Sequence, residues 1–223
     1  MPGVDLSWEQ IEVTQNAANK NAGPRFVPGR RIPVPSTVSS ALQTTIAAPY
    51  RVPAWDADPC DAVHWKTLIS RLAEETAAAT RDIQEKLGVI MEPTVIDGVK
   101  AFILTPKVIA PENQNRLLVN VHGGGYVYNP GEAGAMESVS MAAYGGIKIV
   151  SVDYRMPPDH PYPAGLDDCI IVWRATVEMN DPKKLGLFGS SAGAGMALAM
   201  ILRAKDEGLP LPAALAIGTP WRI

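Results

Sequence analysis

A Gly-Ser-Ser-Ala-Gly pentapeptide at residues 189–193 constrains the fold of this chain more than any other feature. It follows an apolar run at 185–188, which predicts a buried strand, and precedes an alanine- and methionine-rich stretch at 194–206, which predicts a helix. A direct strand-to-helix turn is so tight that side chains on either flank would clash, which explains the two glycines. Such a turn is typical of the carboxyl-terminal edge of a sheet whose strands alternate with helices.

The rest of the chain predicts the elements that such a sheet requires. A helix is expected over residues 64–87 and ends at Gly88, and Asp97-Gly98 is the turn of a β-hairpin. The remaining expected elements are strands at residues 117–121, 147–152 and 213–217 and helices at 133–144 and 166–177. This alternation predicts an α/β fold with a doubly wound, mostly parallel sheet that helices cover on both faces.

The first 63 residues differ from the remainder because they contain eight prolines and few periodic apolar runs. Proline interrupts helices and strands, so only short helical pieces are expected here, at residues 8–16 and 36–47. We therefore divide the chain into an N-terminal lid or arm, residues 1–63, and a core domain, residues 64–223.

The composition, 47% hydrophobic and 19% charged, is that of a globular protein with a substantial core. A formal net charge of −3 gives no basis for electrostatic capture of nucleic acid or of anionic membranes, and no apolar run is long enough to span a bilayer. Residues 1–20 lack the pattern of a signal peptide, and Cys60 and Cys169 are the only cysteines. A cytoplasmic location with reduced thiols is therefore expected.

A second glycine-rich segment, His-Gly-Gly-Gly at residues 122–125, directly follows the strand predicted at 117–121. Glycines at this place leave backbone N–H groups free to point into a site, as an oxyanion hole requires. The N–H groups of Gly123, Gly124 and Ala192 would together bind the oxygen of a tetrahedral intermediate formed at the neighbouring serine. The two motifs therefore predict one site at the same edge of the sheet.

The flanking residues of this segment, His122 and Gly125, are expected to support the loop. A phosphate-binding loop is disfavoured because Tyr128 stands where the third glycine of Gly-x-Gly-x-x-Gly is needed, and no Gly-Lys-Ser/Thr element occurs. No group of residues with metal-ligand spacing is recognised, so neither a metal nor another cofactor is expected.

Residues 153–164 add a third motif, Asp-Tyr-Arg-Met-Pro-Pro-Asp-His-Pro-Tyr-Pro-Ala. With the other two motifs in the same order, the chain resembles, over about residues 64–221, the front part of a hormone-sensitive-lipase-like (family IV) serine esterase of the α/β-hydrolase superfamily. The resemblance implies that Ser191 is the nucleophile and that the N-terminal region is a helical lid over the acyl pocket. It also implies that three residues of the third motif are structural: Arg155, Asp159 and His160. Ser190, where the commonest members have Asp, indicates a subgroup.

The catalytic acid and base of that family have no counterpart in this sequence. In the fold their order is Ser, then Asp or Glu, then His, but after Ser191 the only acids are Asp206 and Glu207, and no histidine follows. The sequence stops after the sixth predicted strand, whereas the family continues through a seventh and an eighth. Structural roles explain the earlier histidines better, namely His64, His122 and His160. A weak hydrolase is therefore expected.

Three functions remain open at this point. The leading one is a carboxylic-ester hydrolase that acts on short-acyl esters through Ser191, without a cofactor, and is impaired because the triad Asp and His lie outside this chain. The second is a non-catalytic protein that binds a small ligand, as the plant gibberellin receptors do, which resemble this family and lack its histidine. The third is a truncated gene product. An exposed sixth strand would favour self-association or pairing with a complementing chain.

Overall fold

The computed structural model describes residues 33–48 and 60–220. The helical piece predicted at residues 8–16 lies outside these ranges, and the piece predicted at 36–47 is present as helix α1 (Ser40–Ala47). Ser39 caps α1, because its hydroxyl accepts a hydrogen bond from the backbone N–H of Leu42 at 3.3 Å. That residues 1–63 act as a lid stays a prediction.

Six strands form one mixed sheet: β1 (Ile90–Ile96), β2 (Val99–Thr105), β3 (Leu117–Val121), β4 (Lys148–Val152), β5 (Leu185–Ser190) and β6 (Ala214–Gly218). Their order across the sheet is β1-β2-β4-β3-β5-β6. β2 pairs antiparallel with β1 and β4, whereas β4, β3, β5 and β6 run parallel to one another. The predicted hairpin and the four parallel strands are confirmed, and with them the α/β fold class.

Four more helices are described, α2 (Ala62–Leu87), α3 (Met136–Gly145), α4 (Ala164–Met179) and α5 (Ala192–Asp206). α2 ends at Gly88 as predicted, where φ is 65°. The helix expected over residues 133–144 is shorter, because a 3₁₀ turn (Gly131–Ala135) precedes α3. α5 begins directly after Ser191 with no intervening loop. In the described ranges no helix combines the length and the apolarity needed to cross a membrane.

The core lies on both faces of the sheet, because successive side chains of a strand point to opposite faces. On one face, Val121 and Leu187 pack with Trp173 of α4 and Met200 of α5. On the other face, Phe188 packs with residues of β2, β4 and α3, and α2 supplies partly buried neighbours. β3 and β5 are thus inner strands packed on both sides, which fixes the position of their carboxyl-terminal ends.

The segment after β4 is fixed by a buried carboxylate. Asp168 is 3% exposed and accepts hydrogen bonds from the backbone N–H of Arg155 at 2.8 Å and from the Nε and Nη2 atoms of its guanidinium. Hydrogen bonds from the guanidinium to Asp168, followed by the charge of that carboxylate, raise the pKa of Arg155. Asp159, by contrast, forms an exposed ion pair with Lys66 at 2.6 Å, and His160 is exposed on the same segment.

These two acids make a matched test of burial. Asp168→Ala should lower the free energy of unfolding by about 2 kcal/mol, because it removes a buried acceptor together with its hydrogen bonds to the backbone and side chain of Arg155. Asp159→Ala should change it by less than about 0.5 kcal/mol, because exposed ion pairs contribute little. Urea unfolding followed by circular dichroism measures both values. Equal losses in the two variants would contradict a structural role for the buried Asp168 carboxylate.

Candidate active site

Ser191 lies at the junction of β5 and α5, and its backbone adopts φ 52° and ψ −122°. Residues other than glycine rarely adopt a positive φ, and such strain persists only where the surrounding structure holds it. One restraint comes from the next strand, because the backbone N–H of Ser191 donates to the carbonyl oxygen of Gly218 at 2.8 Å. The tight strand-to-helix turn predicted from the sequence is therefore present.

The two flanking glycines are required because the turn packs against the end of β3. A methyl group at Gly193 would lie 2.0 Å from the carbonyl oxygen of Val121, and one at Gly189 would lie 2.6 Å from the same atom. Both distances are far inside van der Waals contact. The serine turn and the beginning of the glycine segment are thus in direct backbone contact.

The glycine segment itself lies beside the serine. A Cβ atom built on Gly123 would be 2.8 Å from the carbonyl oxygen of Ser190 and 3.4 Å from the Cβ of Ser191. Gly124 has φ 131° and packs on the backbone of Tyr128, so a side chain there is excluded on both counts. The two predicted motifs lie side by side at the carboxyl-terminal ends of adjacent strands.

His122 is buried behind this loop. Its Nδ1 lies 2.9 Å from the carbonyl oxygen of Gly123, which can only accept, so Nδ1 carries the proton. Its ring stacks on Tyr154 at 4.3 Å, and the Tyr154 hydroxyl donates to the His122 carbonyl oxygen at 2.8 Å. Burial lowers the pKa of His122, against the opposing effects of the hydrogen bond to Gly123 and the charge of Asp153. Through these contacts a neutral His122 imidazole can support the loop.

His64 lies at the start of α2, away from the serine turn, and is exposed. Its Nδ1 is 2.9 Å from Asp61 Oδ1 and 3.4 Å from Cys60 Sγ, so three ligand-type side chains meet here, contrary to the expectation from the sequence. These side chains are close to one another in the sequence, and Asp61 is held at the start of α2 because it caps the helix. Its carboxylate accepts hydrogen bonds from the backbone N–H groups of Val63 and His64. None of the chain's three histidines forms a hydrogen bond with Ser191 in the structure.

A cavity of about 750 Å³ lies beside Ser191. The serine turn and the glycine segment contribute to its lining, and the apolar part of the lining includes Ile83, Met136, Met141 and Tyr144. Glu137, in the first turn of α3, also lines the cavity and accepts a hydrogen bond from the hydroxyl of Ser190 at 3.1 Å. Sequence reasoning missed Glu137, because a single acid in a helix has no motif to mark it.

In this arrangement a serine hydroxyl lies beside the backbone of a glycine-rich loop and the N-terminus of α5, where an electrophile can react with it. Backbone N–H groups and the positive end of a helix dipole both stabilise negative charge that develops on a carbonyl oxygen. The chemistry that fits is attack by serine on a carbonyl carbon. The proton acceptor for that step has no hydrogen-bonded candidate among the described residues.

Comparison with known proteins indicates the same fold and an esterase family. Residues 118–222 match a family model described as alpha/beta hydrolase fold. The crystal structure of an esterase called E25 has a TM-score of 0.81 and 34% identity, over 88% of this chain and 61% of that one. The crystal structure of an esterase from the bacterial hormone-sensitive lipase family has a TM-score of 0.56 and 25% identity, over 73% of this chain and 59% of that one. The chain is similar in sequence and in fold to the hormone-sensitive-lipase-like α/β-hydrolases.

Curated relatives of this hormone-sensitive-lipase-like chain include an acetyl-hydrolase from Streptomyces hygroscopicus. It is 31% identical over 161 residues, which make up 71% of this chain and 53% of the relative. An esterase from Acinetobacter venetianus is 28% identical over 59% of this chain and 42% of its own length. The chain thus spans about half the length of the curated relatives it matches. The resemblance inferred from the three sequence motifs is confirmed.

Proposed function

We propose that this hormone-sensitive-lipase-like chain carries the nucleophile and the oxyanion-binding half of a carboxylic-ester hydrolase. The observation that supports this is the position of the strained Ser191 beside Gly123, where a built Cβ atom would lie 3.4 Å from the Cβ of Ser191. The Ser191 oxygen attacks the ester carbonyl carbon, and the N–H groups of Gly123, Gly124 and Ala192 bind the resulting oxyanion. The alcohol leaves with a proton, and water then releases the carboxylic acid from the acyl-enzyme.

The substrate in this proposal is an ester with a short acyl group. The cavity beside the serine has a largely apolar wall, which suits small uncharged groups. Relatives named acetyl-hydrolase and carboxylesterase support the same class. We assign the reaction no cofactor, since serine, backbone N–H groups and a base suffice for acyl transfer.

The proposed reaction also requires a base that removes the proton of the Ser191 hydroxyl. No histidine follows Ser191 in the sequence; of the three earlier ones, His122 and His64 make other contacts and His160 is exposed. We propose that the Asp and His of the triad come from polypeptide beyond these 223 residues, either in a longer chain or in a complementing one. The exposed edge strand β6 supports pairing there, because Leu215 and Ile217 are 37% and 39% exposed and no other described strand pairs with the outer side of β6.

A non-catalytic role in binding a small ligand is the second candidate. The cavity favours it, and so does the lack of a hydrogen-bonded base beside Ser191 among residues 33–48 and 60–220. The two roles differ in the fate of an ester, because a binding protein retains it intact whereas a hydrolase releases acid and alcohol. Incubation with a short-chain ester, followed by chromatography of the bound and free material, separates them.

The test of the nucleophile is covalent labelling by a fluorophosphonate. We expect slow phosphonylation of Ser191, because the oxyanion hole stabilises the charged intermediate even without a base. Ser191→Ala should abolish the labelling, whereas Ser190→Ala should leave Ser191 as the modified residue. Intact-mass measurements show whether each variant is labelled, and peptide mapping identifies the modified residue. A label that persists in Ser191→Ala would exclude this serine as the nucleophile.

A further inference from the structure

The conformation of Ser191 depends on contacts from three directions. β6 holds its backbone N–H through Gly218, and β3 packs against the turn through the carbonyl oxygen of Val121. The third contact is made by the preceding residue, because the Ser190 hydroxyl donates to the Glu137 carboxylate at 3.1 Å. This is the one side-chain hydrogen bond described between the serine turn and α3.

Glu137 is suited to this contact by its position. It lies in the first turn of α3, where the helix dipole favours a negative charge. Among residues 33–48 and 60–220 no lysine, arginine or histidine forms an ion pair with it. A hydrogen bond to an ionised carboxylate is stronger than one between neutral groups, and this one joins residues 53 positions apart.

We infer that Glu137 is a positioning residue for Ser191 and acts through the hydroxyl of Ser190. The inference rests on the proposed role of Ser191 as nucleophile. Because Ser190 and Ser191 are consecutive, fixing the side chain of one restrains the backbone that aims the other. The tolerance is small, since the Ser190 carbonyl oxygen is 2.8 Å from a Cβ built on Gly123. A misplacement of about 1 Å in a catalytic geometry can cost about 10²-fold in rate.

The experiment measures fluorophosphonate labelling as a function of probe concentration in the full chain. Glu137→Ala and Ser190→Ala should each lower the maximal labelling rate about tenfold, while the concentration that gives half this rate changes less than about twofold. Glu137→Gln keeps an acceptor for Ser190 and should restore the rate to within about threefold. The double variant should be no slower than either single variant, because both remove the same hydrogen bond.

Glu132→Ala is the matched control. Glu132 belongs to the same connection between β3 and α3, but it pairs with Arg81 of α2 and not with the serine turn. The Glu132→Ala variant should be labelled by the probe at the rate of the unchanged chain. Thermal unfolding of each variant shows whether it is folded, and Glu137→Gln and Ser190→Ala decide the question if Glu137→Ala does not fold.

The outcomes separate this inference from the proposed function. If Ser191 is labelled and Glu137→Ala reacts at the unchanged rate, or if the two single effects add, the positioning role is wrong and the nucleophile stands. If the variants change only the probe concentration that gives half the maximal rate, and not the maximal rate itself, the positioning role is also wrong. If the unchanged chain is not labelled at Ser191, both the inference and the proposed function fall.

Discussion

Turnover of a short-chain aryl ester by the 223-residue chain should be at least about 10³-fold slower than by a longer chain that supplies the Asp and His of the family. An oxyanion hole and substrate binding alone leave about 10³–10⁴-fold over water, whereas a complete triad adds several orders of magnitude. Among the described residues the hydroxyl of Ser191 has the glycine loop of residues 122–125 beside it but no hydrogen-bonded base. The deficit should therefore appear in kcat.

The measurement compares initial rates of the two chains with the same ester at saturating concentration. Ser191→Ala in the longer chain is the control, because it separates triad-dependent hydrolysis from background. Equal rates in the two unmodified chains would mean that a residue of this sequence acts as the base. Alanine variants of His64, His122 and His160 would then identify it.

The largest effect on stability is expected from Gly193→Ala. The new methyl group would lie 2.0 Å from the carbonyl oxygen of Val121, and that atom belongs to the backbone of a central strand and cannot move away. Overpacking a site with flexible neighbours costs about 1–3 kcal/mol, and a rigid backbone neighbour raises the cost above about 3 kcal/mol. Poor expression or a greatly lowered Tm is the expected result.

Gly208→Ala is a suitable control at the other end of α5. Gly208 has φ 69°, and a methyl group there would meet no atom within 4 Å. Its substitution should cost about 1 kcal/mol, through backbone strain alone. Thermal and urea unfolding of both variants give the comparison. If Gly193→Ala were as stable as Gly208→Ala, the close approach of the serine turn to β3 would be wrong.

The fold was predictable because local and global signals agree along the core. Asp97-Gly98 specifies a hairpin without help from distant residues, and the strand at 117–121 is apolar over nearly its whole length. The glycines of the serine turn predict the close approach that the structure shows, since only a residue without Cβ fits beside Val121. For the same reason the two site motifs could be assigned to one edge of the sheet.

The remaining features depend on contacts that no local pattern records. The hydrogen bond between Ser190 and Glu137 joins two elements across the sheet edge, and neither residue alone indicates the other. A 3₁₀ turn replaces the predicted helical turn before α3, and Gly134 within it lies so close to the His122 ring that a Cβ atom there would be 2.7 Å from Cδ2. The group around Asp61 was overlooked because capping, and not a ligand motif, brings these side chains together.

The central position of β3 and β5 has a consequence for synthesis on the ribosome. Both strands pair on each side with strands that end no later than Gly218, so the glycine loop and the serine turn need no later strand to lie side by side. The ribosome adds about 5–20 residues per second, so the N-terminal part of a polypeptide emerges first. In a longer family member these strands can therefore begin to pair while the remainder is still being translated. Natural or engineered split esterases divided just after this point should therefore recover activity when the two pieces are mixed.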